Sequence, residues 1–413
     1  MEQDKETISV PSPHLMRTAI VGGGAAGFFL AICLKERCPA MQVTIFERSR
    51  HVLEKVRISG GGRCNCTNTF ADVTDLSAVY PRGHRLMHRL MKGFSQHDAY
   101  GWFERHGVPL TVQPDQCVFP QSQDSRSIIN CFLTETRRLG IEVRTENKID
   151  SLGDLSGFDF VAVTTGGSPK RAGLEWLAAH GHEIVDPVPS LFTFRIDNPQ
   201  LHDLMGTVAE PSVAFLPGTK FRAEGPVLIT HWGLSGPAIL KLSSHAARHL
   251  AERQYQAPLA VNWTGLRDTE VADALHGLIA RCPLRQLHTV TPCALPARLW
   301  TFLLQKSLGV RAGVRWNALN QKELNRLANL LSGGDTYPIA GRAPFKDEFV
   351  TCGGIALTAV NPATLESRHV PRLYFAGEVL DIDGVTGGFN FQAAWTTAWT
   401  VAQAISKSFL LSA

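Results

Sequence analysis

A glycine turn constrains this chain more than any other feature. Gly22-Gly23-Gly24-Ala25-Ala26-Gly27 follows the apolar run Thr18-Ala19-Ile20-Val21 and opens an apolar stretch, about Ala25 to Arg37, that reads as a helix. A second apolar run, Val43-Thr44-Ile45-Phe46, ends at Glu47, twenty residues beyond Gly27. A strand, a G-x-G-x-x-G turn, a helix, a strand and an acid, in that order, predict a parallel βαβ unit that binds a dinucleotide. The three glycines have separate tasks. Gly22 permits the tight turn, Gly24 lets the backbone approach a pyrophosphate, and Gly27 lets the helix pack close on the strand. The helix start at Ala25 and Ala26 offers N–H groups and partial positive charge to phosphates. Glu47, with Arg48 beside it, is placed for the ribose. A glycine turn without a ligand would meet the pattern alone but does not explain the acid.

Composition frames that unit. The chain has 413 residues, enough for two or three domains. Its 44% hydrophobic and 19% charged residues argue against extended disorder. Lys+Arg 41 against Asp+Glu 37 gives +4, which tolerates a polyanionic partner without demanding one. The apolar runs fall well short of the roughly 20 residues that span a bilayer, so no membrane partner is expected. The opening MEQDKETISVPSPHLM has no apolar core of a signal peptide and reads as a loose extension. Nine scattered cysteines, an odd number, do not suggest a disulfide framework, and none falls in a cluster with zinc-ligand spacing. The expectation is a reducing, cytoplasmic setting and no metal.

Further strands are expected at Glu142–Ile149, Phe158–Thr165 and Arg372–Ala376. Between them the pattern changes. Alternating runs at Leu191–Ile196, Thr207–Leu216, Val227–Thr230 and Leu259–Trp263 predict antiparallel strands in a small barrel or sheet. From Leu266 to Leu331 the pattern is helical. Pro296 fits the first turn of a helix running to Ser307. Asn320 with Glu323 resembles a capping box, Leu324, Leu327, Ala328 and Leu331 form an apolar stripe, and Gly333 can stop the helix. The expected fold is α/β, a Rossmann-like nucleotide-binding domain split by an insertion. Its first part is 16–187 and its second 351–413. The inserted β-barrel is 188–265 plus about 334–350, and the small helical subdomain is 266–333.

Two more glycine-rich elements bear on the ligand. The run from Leu53 through Lys55 leads into Ser59-Gly60-Gly61-Gly62-Arg63-Cys64-Asn65-Cys66-Thr67-Asn68. Its glycines expose backbone N–H groups to an anion, and Arg63 adds a charge-assisted donor. A flexible surface loop is the plainer reading, but it leaves the concentration of small polar residues unexplained. Near the far end, Leu373-Tyr374-Phe375-Ala376 runs into Gly377-Glu378, where a carboxylate could hold a ribityl hydroxyl. The chain continues through Asp381, Asp383 and Gly384 to Gly387-Gly388-Phe389-Asn390-Phe391-Gln392 and a helix from about Gly388 to Ile405. That helix N-terminus would stabilise negative charge on the N1–C2=O edge of a reduced flavin.

Together these residues resemble the BaiN/RdsA-like family of bacterial FAD proteins, also labelled aminoacetone-oxidase-like, over about Arg17 to Ala404. The resemblance rests on Gly22–Gly27, Ser59–Asn68, Thr230–Pro237 (THWGLSGP), Thr351–Ile355 (TCGGI) and Gly377–Gln392. It implies an FAD domain of the two-dinucleotide-binding type with an inserted β-barrel and a helical subdomain. It implies FAD held by Gly22, Gly24, Ala26, Glu47, Lys55, the loop Ser59, Gly60, Gly61, Gly62, Arg63, Cys64 and Asn65, then Glu378 and the turn Gly388, Phe389, Asn390. Ala25, Gly27, Arg48, Gly166, Gly377 and Asp383 complete the expected cofactor set. The implied activity is a flavin-dependent reduction, such as saturation of a bile-acid-type enone or of a uridine in large-subunit ribosomal RNA. The chain departs from many members after Thr165-Gly166-Gly167, where it goes directly to Ser168-Pro169-Lys170-Arg171 instead of a longer Ser/Thr/Gly/Asp-rich turn. That departure bears on substrate identity rather than on FAD.

Reduction of an activated C=C needs a hydride from the flavin and a proton at the neighbouring carbon. Cys64 and His231 are the candidate catalytic groups. The simpler reading of each is structural, a small buried thiol and a satisfied turn histidine. Asn65 and Asn390 could bond flavin or substrate carbonyls. No second G-x-G-x-x-G stands between a strand and a helix, so NAD(P)H, the expected reductant, would bind transiently near the flavin. The Cys64–Cys66 spacing is not that of a C-x-x-C redox pair. Arg82, Arg85, Arg89 and Lys92 share a helical face away from Leu86, Met87, Leu90 and Met91, with His84 and His88 nearby. Such a face could hold RNA phosphates, although it is ordinarily the solvated side of an amphipathic helix. The expected function is an FAD-dependent reductase, in its specific form converting uridine to dihydrouridine in 23S rRNA. The alternatives are an NAD(P)H-dependent small-molecule enone reductase or amine oxidase, and a non-catalytic flavin-carrying RNA-binding factor.

Overall fold

The computed structural model describes residues 16–343 and 350–412. The expected N-terminal extension and part of the last barrel segment lie outside the described residues. The apolar runs of the first half become neighbouring strands because each is too apolar to leave a face in water. Strand β1 (Arg17–Val21) pairs in parallel with β2 (Gln42–Phe46), from Arg17 opposite Gln42 to Val21 opposite Phe46. Strand β3 (Glu142–Arg144) flanks β2, β4 (Phe160–Val163) flanks β1, and β5 (Leu373–Phe375) flanks β4, all in parallel. The order is therefore β5-β4-β1-β2-β3. The expected strand from Glu142 to Ile149 stops at Arg144 because the backbone turns over the end of β2. There Glu47 N–H donates to Arg144 O, and Asn147 N–H donates to Glu47 O.

Three helices position the site. Helix α1 (Ala25–Arg37) is buried from Ala26 through Leu34, which is why its sequence shows no polar face. Helix α2 (His84–Leu90) buries Leu86, Met87 and Leu90. Helix α3 (Phe389–Ser412) lies against α1, with the Phe29 and Trp395 rings 5.2 Å apart. The sheet and these helices share one apolar core drawn from both ends of the chain.

The chain leaves this domain along Ile184–Ser190 and returns along Val350–Ile355, and those two strands pair with each other antiparallel. Between them stand two antiparallel sheets. One orders Val208–Ala209, Val227–Thr230, Gly233–Ser235, Phe194–Arg195 and Gly341–Arg342, and the other Arg222–Glu224, Val213–Phe215, Ala257–Asn262 and Thr336–Ile339. The expected barrel is thus, among the described residues, a pair of sheets without one closed ladder. The run Thr207–Leu216 splits between them around Pro211, which has no N–H for a ladder. The helices of 268–331 do not form a core of their own. Trp300, Trp316, Leu324 and Leu327 bury together with Tyr337 of the four-stranded sheet and Trp263 just past the end of its strand Ala257–Asn262. Pro296 caps the helix Ala297–Leu308 from one residue outside it. The Asn320–Glu323 capping box forms, each side chain bonded to the other's backbone N–H at 3.0 Å.

One surface latch has a defined pH response. His106, at the end of the helix Gln96–Arg105, donates from Nδ1 to Trp102 O at 2.7 Å and from Nε2 to Glu36 of α1 at 2.9 Å. Both partners are acceptors, so only the doubly protonated ring donates to both. Burial works against that charge, but the Glu36 carboxylate and the Trp102 carbonyl outweigh it and raise the His106 pKa. Burial likewise opposes the Glu36 charge, and His106 outweighs it, holding that carboxyl below its usual 4.5. The His106 contribution is full below pH 6.5 and fades as pH rises through the raised value. The Glu36 contribution is full above pH 4.5 and fades as pH falls through the lowered one. Glu36→Gln should therefore destabilise most between about pH 4.5 and 6.5, by about 1 kcal/mol for a pair still partly open to solvent. Thermal melts of both proteins at pH 5.5 and pH 9 check this: the gap in Tm narrows at the higher pH.

Candidate cofactor site

The three fingerprint glycines differ in what surrounds them. A Cβ on Gly22, whose φ is +116°, would lie 2.5 Å from Thr164 O, and one on Gly27 would lie 2.1 Å from Gly22 O. These two glycines let α1 close onto β1 and β4. A Cβ on Gly24 would meet no protein atom within 4 Å. Gly24 caps α1, so the open space stands at the helix N-terminus, where N–H groups and the helix dipole favour an anion. Glu47 is fixed beside it. Its Oε2 accepts from Gly23 N–H at 2.8 Å, and its Oε1 accepts from Ser49 N–H at 2.9 Å and Ser49 Oγ at 2.7 Å. Arg48 is exposed.

The Ser59–Asn65 loop leaves helical geometry at Ser59 and runs through Gly60, Gly61 and Gly62 at φ +57°, +68° and +82°. Three consecutive left-handed residues are affordable only as glycine. Gly61 borders open space, and a Cβ on Gly62 would meet only Arg57 O, 4.0 Å away. The loop is then clamped to the far end of the chain. Asn68 Nδ2 donates to Gly387 O at 3.0 Å, Thr67 Oγ1 to Gln392 Oε1 at 2.7 Å, and Trp395 Nε1 to Cys66 O at 2.9 Å. With its amide oriented to suit its neighbours, Asn65 accepts from Gly388 N–H at 3.2 Å. A Cβ on Gly388 would lie 2.3 Å from Thr67 O. The hairpin Leu110–Val112 with Cys117–Pro120, which the sequence did not announce, extends the short strand Thr67–Asn68 and supports the clamp.

Glu378 joins the pieces. Lys55 Nζ bonds its Oε2 at 2.8 Å, and Thr351 N–H donates to its Oε1 at 2.7 Å. Burial would raise this carboxyl. The Lys55 charge and the N–H groups of Thr351 and Gly167 outweigh burial and hold it below the usual carboxylate range. Gly166 and Gly167, at the end of β4, lie against the same carboxylate, and Gly377 lies against Ala26. The first turn of α1, Lys55, the β4 turn and Glu378 thus form one continuous surface. Thr351 is the residue here that sequence reasoning missed. Its motif TCGGI was visible, but an acceptor 27 residues away was not.

Several expected site residues point elsewhere. Cys64 is wholly buried, and burial pushes its thiol up to about 12, so it is a packing residue with no surface for a ligand. Asp383 is equally buried and binds Arg82 through both carboxylate oxygens, while Ser190 Oγ donates to Oδ2 at 3.0 Å. Arg82 also donates to Ser244 O at 2.7 Å. Arg82 is therefore not part of a helical basic face: Gly83 caps α2, and Arg82 precedes it. Arg63 turns back onto its own loop, bonded to Gly60 O and Gln123, with its guanidinium 4.3 Å from the Phe119 ring centre. Asn390 bonds Gly384 N–H and Gly384 O, which fixes the turn before α3 and occupies its amide. The Phe389 side chain packs against Phe70 and Tyr80, leaving its backbone at the helix start. His231 is exposed at the tip of a hairpin in the inserted sheet, beside Trp232.

The arrangement fits a flavin dinucleotide. The open cradle at Gly24, the glycine run at 60–62, two helix N-termini and two carboxylates supply the contacts that a pyrophosphate, two sugar chains and a ring edge require. Gly24→Val should fold as the wild type and lose flavin, whereas Gly27→Val should lose the fold. Far-UV circular dichroism and absorbance near 450 nm on the same preparations separate the two. Arg82→Met should destabilise by about 3–5 kcal/mol because Asp383 is left buried and unpaired. Adding Asp383→Leu should recover most of that loss in urea melts.

Residues 16–404 match the family described as HI0933-like protein Rossmann domain. A 3-dehydro-bile acid delta(4,6)-reductase of Clostridium scindens is 26% identical over 416 residues, covering 95% of this chain and 99% of its own. The ribosomal RNA dihydrouridine synthase of Escherichia coli K12 is 28% identical over 405 residues, covering 93% and 96%. The Haemophilus influenzae protein of the same description is 25% identical over 412 residues, covering 94% and 98%. The chain belongs to the HI0933-like Rossmann family and is an FAD-dependent oxidoreductase.

Proposed function

We propose that this protein reduces an activated C=C bond, that its substrate is a uridine of 23S ribosomal RNA, and that NAD(P)H is the electron donor. The observation that carries the first part is the cradle made jointly by α1, the 59–65 loop and the start of α3, which fits FAD. Two of the three relatives compared, matched over more than nine-tenths of this chain, are named for making dihydrouridine in ribosomal RNA, which supports the second. Bound FAD supplies the hydride.

The chain's own groups bind and orient. Glu47 receives ribose hydroxyls, the α1 N-terminus and the glycine run receive the pyrophosphate, and Glu378 with Lys55 sits where a polyol chain can reach it. The α3 N-terminus stabilises negative charge at the ring edge. Of the two candidate proton donors, only His231 has access to solvent. It borders a hollow of about 240 Å³ with Met205, Leu228 and Trp232, and it is the one we carry forward. All nine cysteines are unbridged, which supports a reducing, cytoplasmic setting.

Nucleoside mass spectrometry of 23S rRNA from a deletion strain tests this reading. Dihydrouridine should disappear, return with the wild-type gene, and stay absent with Gly24→Val. Unchanged dihydrouridine in the deletion strain rejects the RNA substrate. The Clostridium scindens relative favours a second reading, reduction of a free polycyclic enone. Under that reading, the purified protein consumes NAD(P)H with a steroid enone in the absence of any RNA.

A further inference from the structure

We propose that the solvent face of α2 is a docking surface for RNA phosphates, an inference that rests on the RNA reading of the substrate. No acidic residue occurs from Leu76 through His97. Within that run Arg85, His88, Arg89 and Lys92 are exposed, at i, i+3, i+4 and i+7. Arg85, His88 and Arg89 lie on one side of the helix, opposite buried Leu86, Met87 and Leu90, and Lys92 stands in the turn just past its end. The bounding acids are committed locally: Asp75 accepts from Ser77, and Asp98 accepts from Ser95 in a capping box.

A solvated helix face normally pairs its charges, and elsewhere this chain does so. Arg57 bonds Glu54, Arg138 bonds Glu135, Arg171 bonds Glu175 and Arg267 bonds Glu270. On α2 and the turn that follows it, none of Arg85, Arg89 or Lys92 has an acidic partner among the described residues. Like charges one turn apart cost a helix a few tenths of a kcal/mol per pair, roughly 0.2–0.5. A seven-residue helix gains nothing locally from carrying them, so the array points to a partner that supplies the negative charge.

The partner's chemistry follows from what the face lacks. Among the described residues, the large apolar side chains left exposed are Val112, Met205, Val208, Leu284, Val310, Leu410 and Leu411, and none of them is on α2. A protein or bilayer partner would be expected to meet some apolar surface there. A face of cations alone fits a repeating phosphate backbone. The face is also fixed relative to the cofactor turn. Arg82, just before α2, grips Asp383, Gly83 packs on Ile382, and the buried side of α2 shares its core with α3. The surface continues onto the insertion, where His245 bonds Ala78 O at 3.1 Å and Lys241 stands one turn earlier on the same helix.

The test uses flavin-loaded protein with Arg85→Glu, Arg89→Glu and Lys92→Glu combined, and a transcribed 23S rRNA as probe. Filter binding is measured from 50 to 200 mM KCl. The variant should keep the wild-type visible spectrum and melting temperature and bind at least tenfold more weakly. The slope of log K against log salt should fall by about 2, as expected for three lost phosphate contacts. Lysine in place of Arg85 and Arg89 should retain binding. Wild-type affinity and slope in the triple variant overturn the proposal while leaving the RNA substrate standing. Absence of binding by the wild-type protein overturns both. Charge-dependent binding to phosphatidylcholine–phosphatidylglycerol vesicles without binding to the transcript also overturns it.

Discussion

The packing of α1 against α3 is the constraint on which the remaining structure depends. One helix begins at residue 25 and the other at residue 389, and each carries a piece of the cofactor cradle at its N-terminus. Phe29 meets Trp395, and Trp395 reaches across to bond Cys66 O. Truncating a buried aromatic of this kind costs about 3–5 kcal/mol. That is a large share of the roughly 5–15 kcal/mol by which a domain is stable. The insertion is joined to this core by two paired strands and by the bonds of Arg82 to Ser244 O and His245 to Ala78 O.

Two buried or half-buried charge pairs at the site differ in kind. Arg82–Asp383 is closed: the carboxylate has no exposed surface, and its lone pairs are taken by Arg82 and Ser190. It holds α2, the turn after β5 and the neck of the insertion in one geometry. Lys55–Glu378 is open. The lysine side chain is 53% exposed and the glutamate 19%, so a hydroxyl can compete for either group. A closed pair fixes shape, and an open pair can be shared with a ligand. This difference in access leaves Glu378 open to a ligand and Asp383 closed to one.

What the sequence disclosed follows from how local each signal is. The close packing at Gly22 and Gly27 was legible because spacing along one strand and helix sets it, and the structure crowds those two glycines while leaving Gly24 beside open space. The Asn320 capping box spans four residues and was legible for the same reason. The burial of Asp383 was not legible because its partner Arg82 lies far away in sequence, whereas the buried thiol of Cys64 matches the simpler of its two readings. Arg82 fitted the helical spacing of Arg85 and Arg89, and only Gly83 as the cap removes it from that helix. The hairpin at 110–120 was missed because its strands are three and four residues long, too short for an alternating pattern to register.

A cradle assembled from both chain ends couples loading to folding. In the proposed binding mode, contacts to α1 and to α3 exist together only when the two helices are packed, so a bound cofactor would stabilise the packed state by RT ln(1 + [L]/Kd). At a hundredfold excess over Kd this is about 2.7 kcal/mol. The coupling runs in both directions. Anything that loosens the α1–α3 contact, even far from the glycine turn, lowers flavin affinity by the same free energy by which flavin had tightened the contact. The glycines at 60–62 and 388 matter in this balance beyond their own turns. They let the 59–65 loop approach the start of α3 closely enough that Asn65, Thr67 and Asn68 can bridge the two segments before any ligand arrives. The protein side of the cradle is thereby ordered in advance, and less of the binding free energy is spent on ordering it.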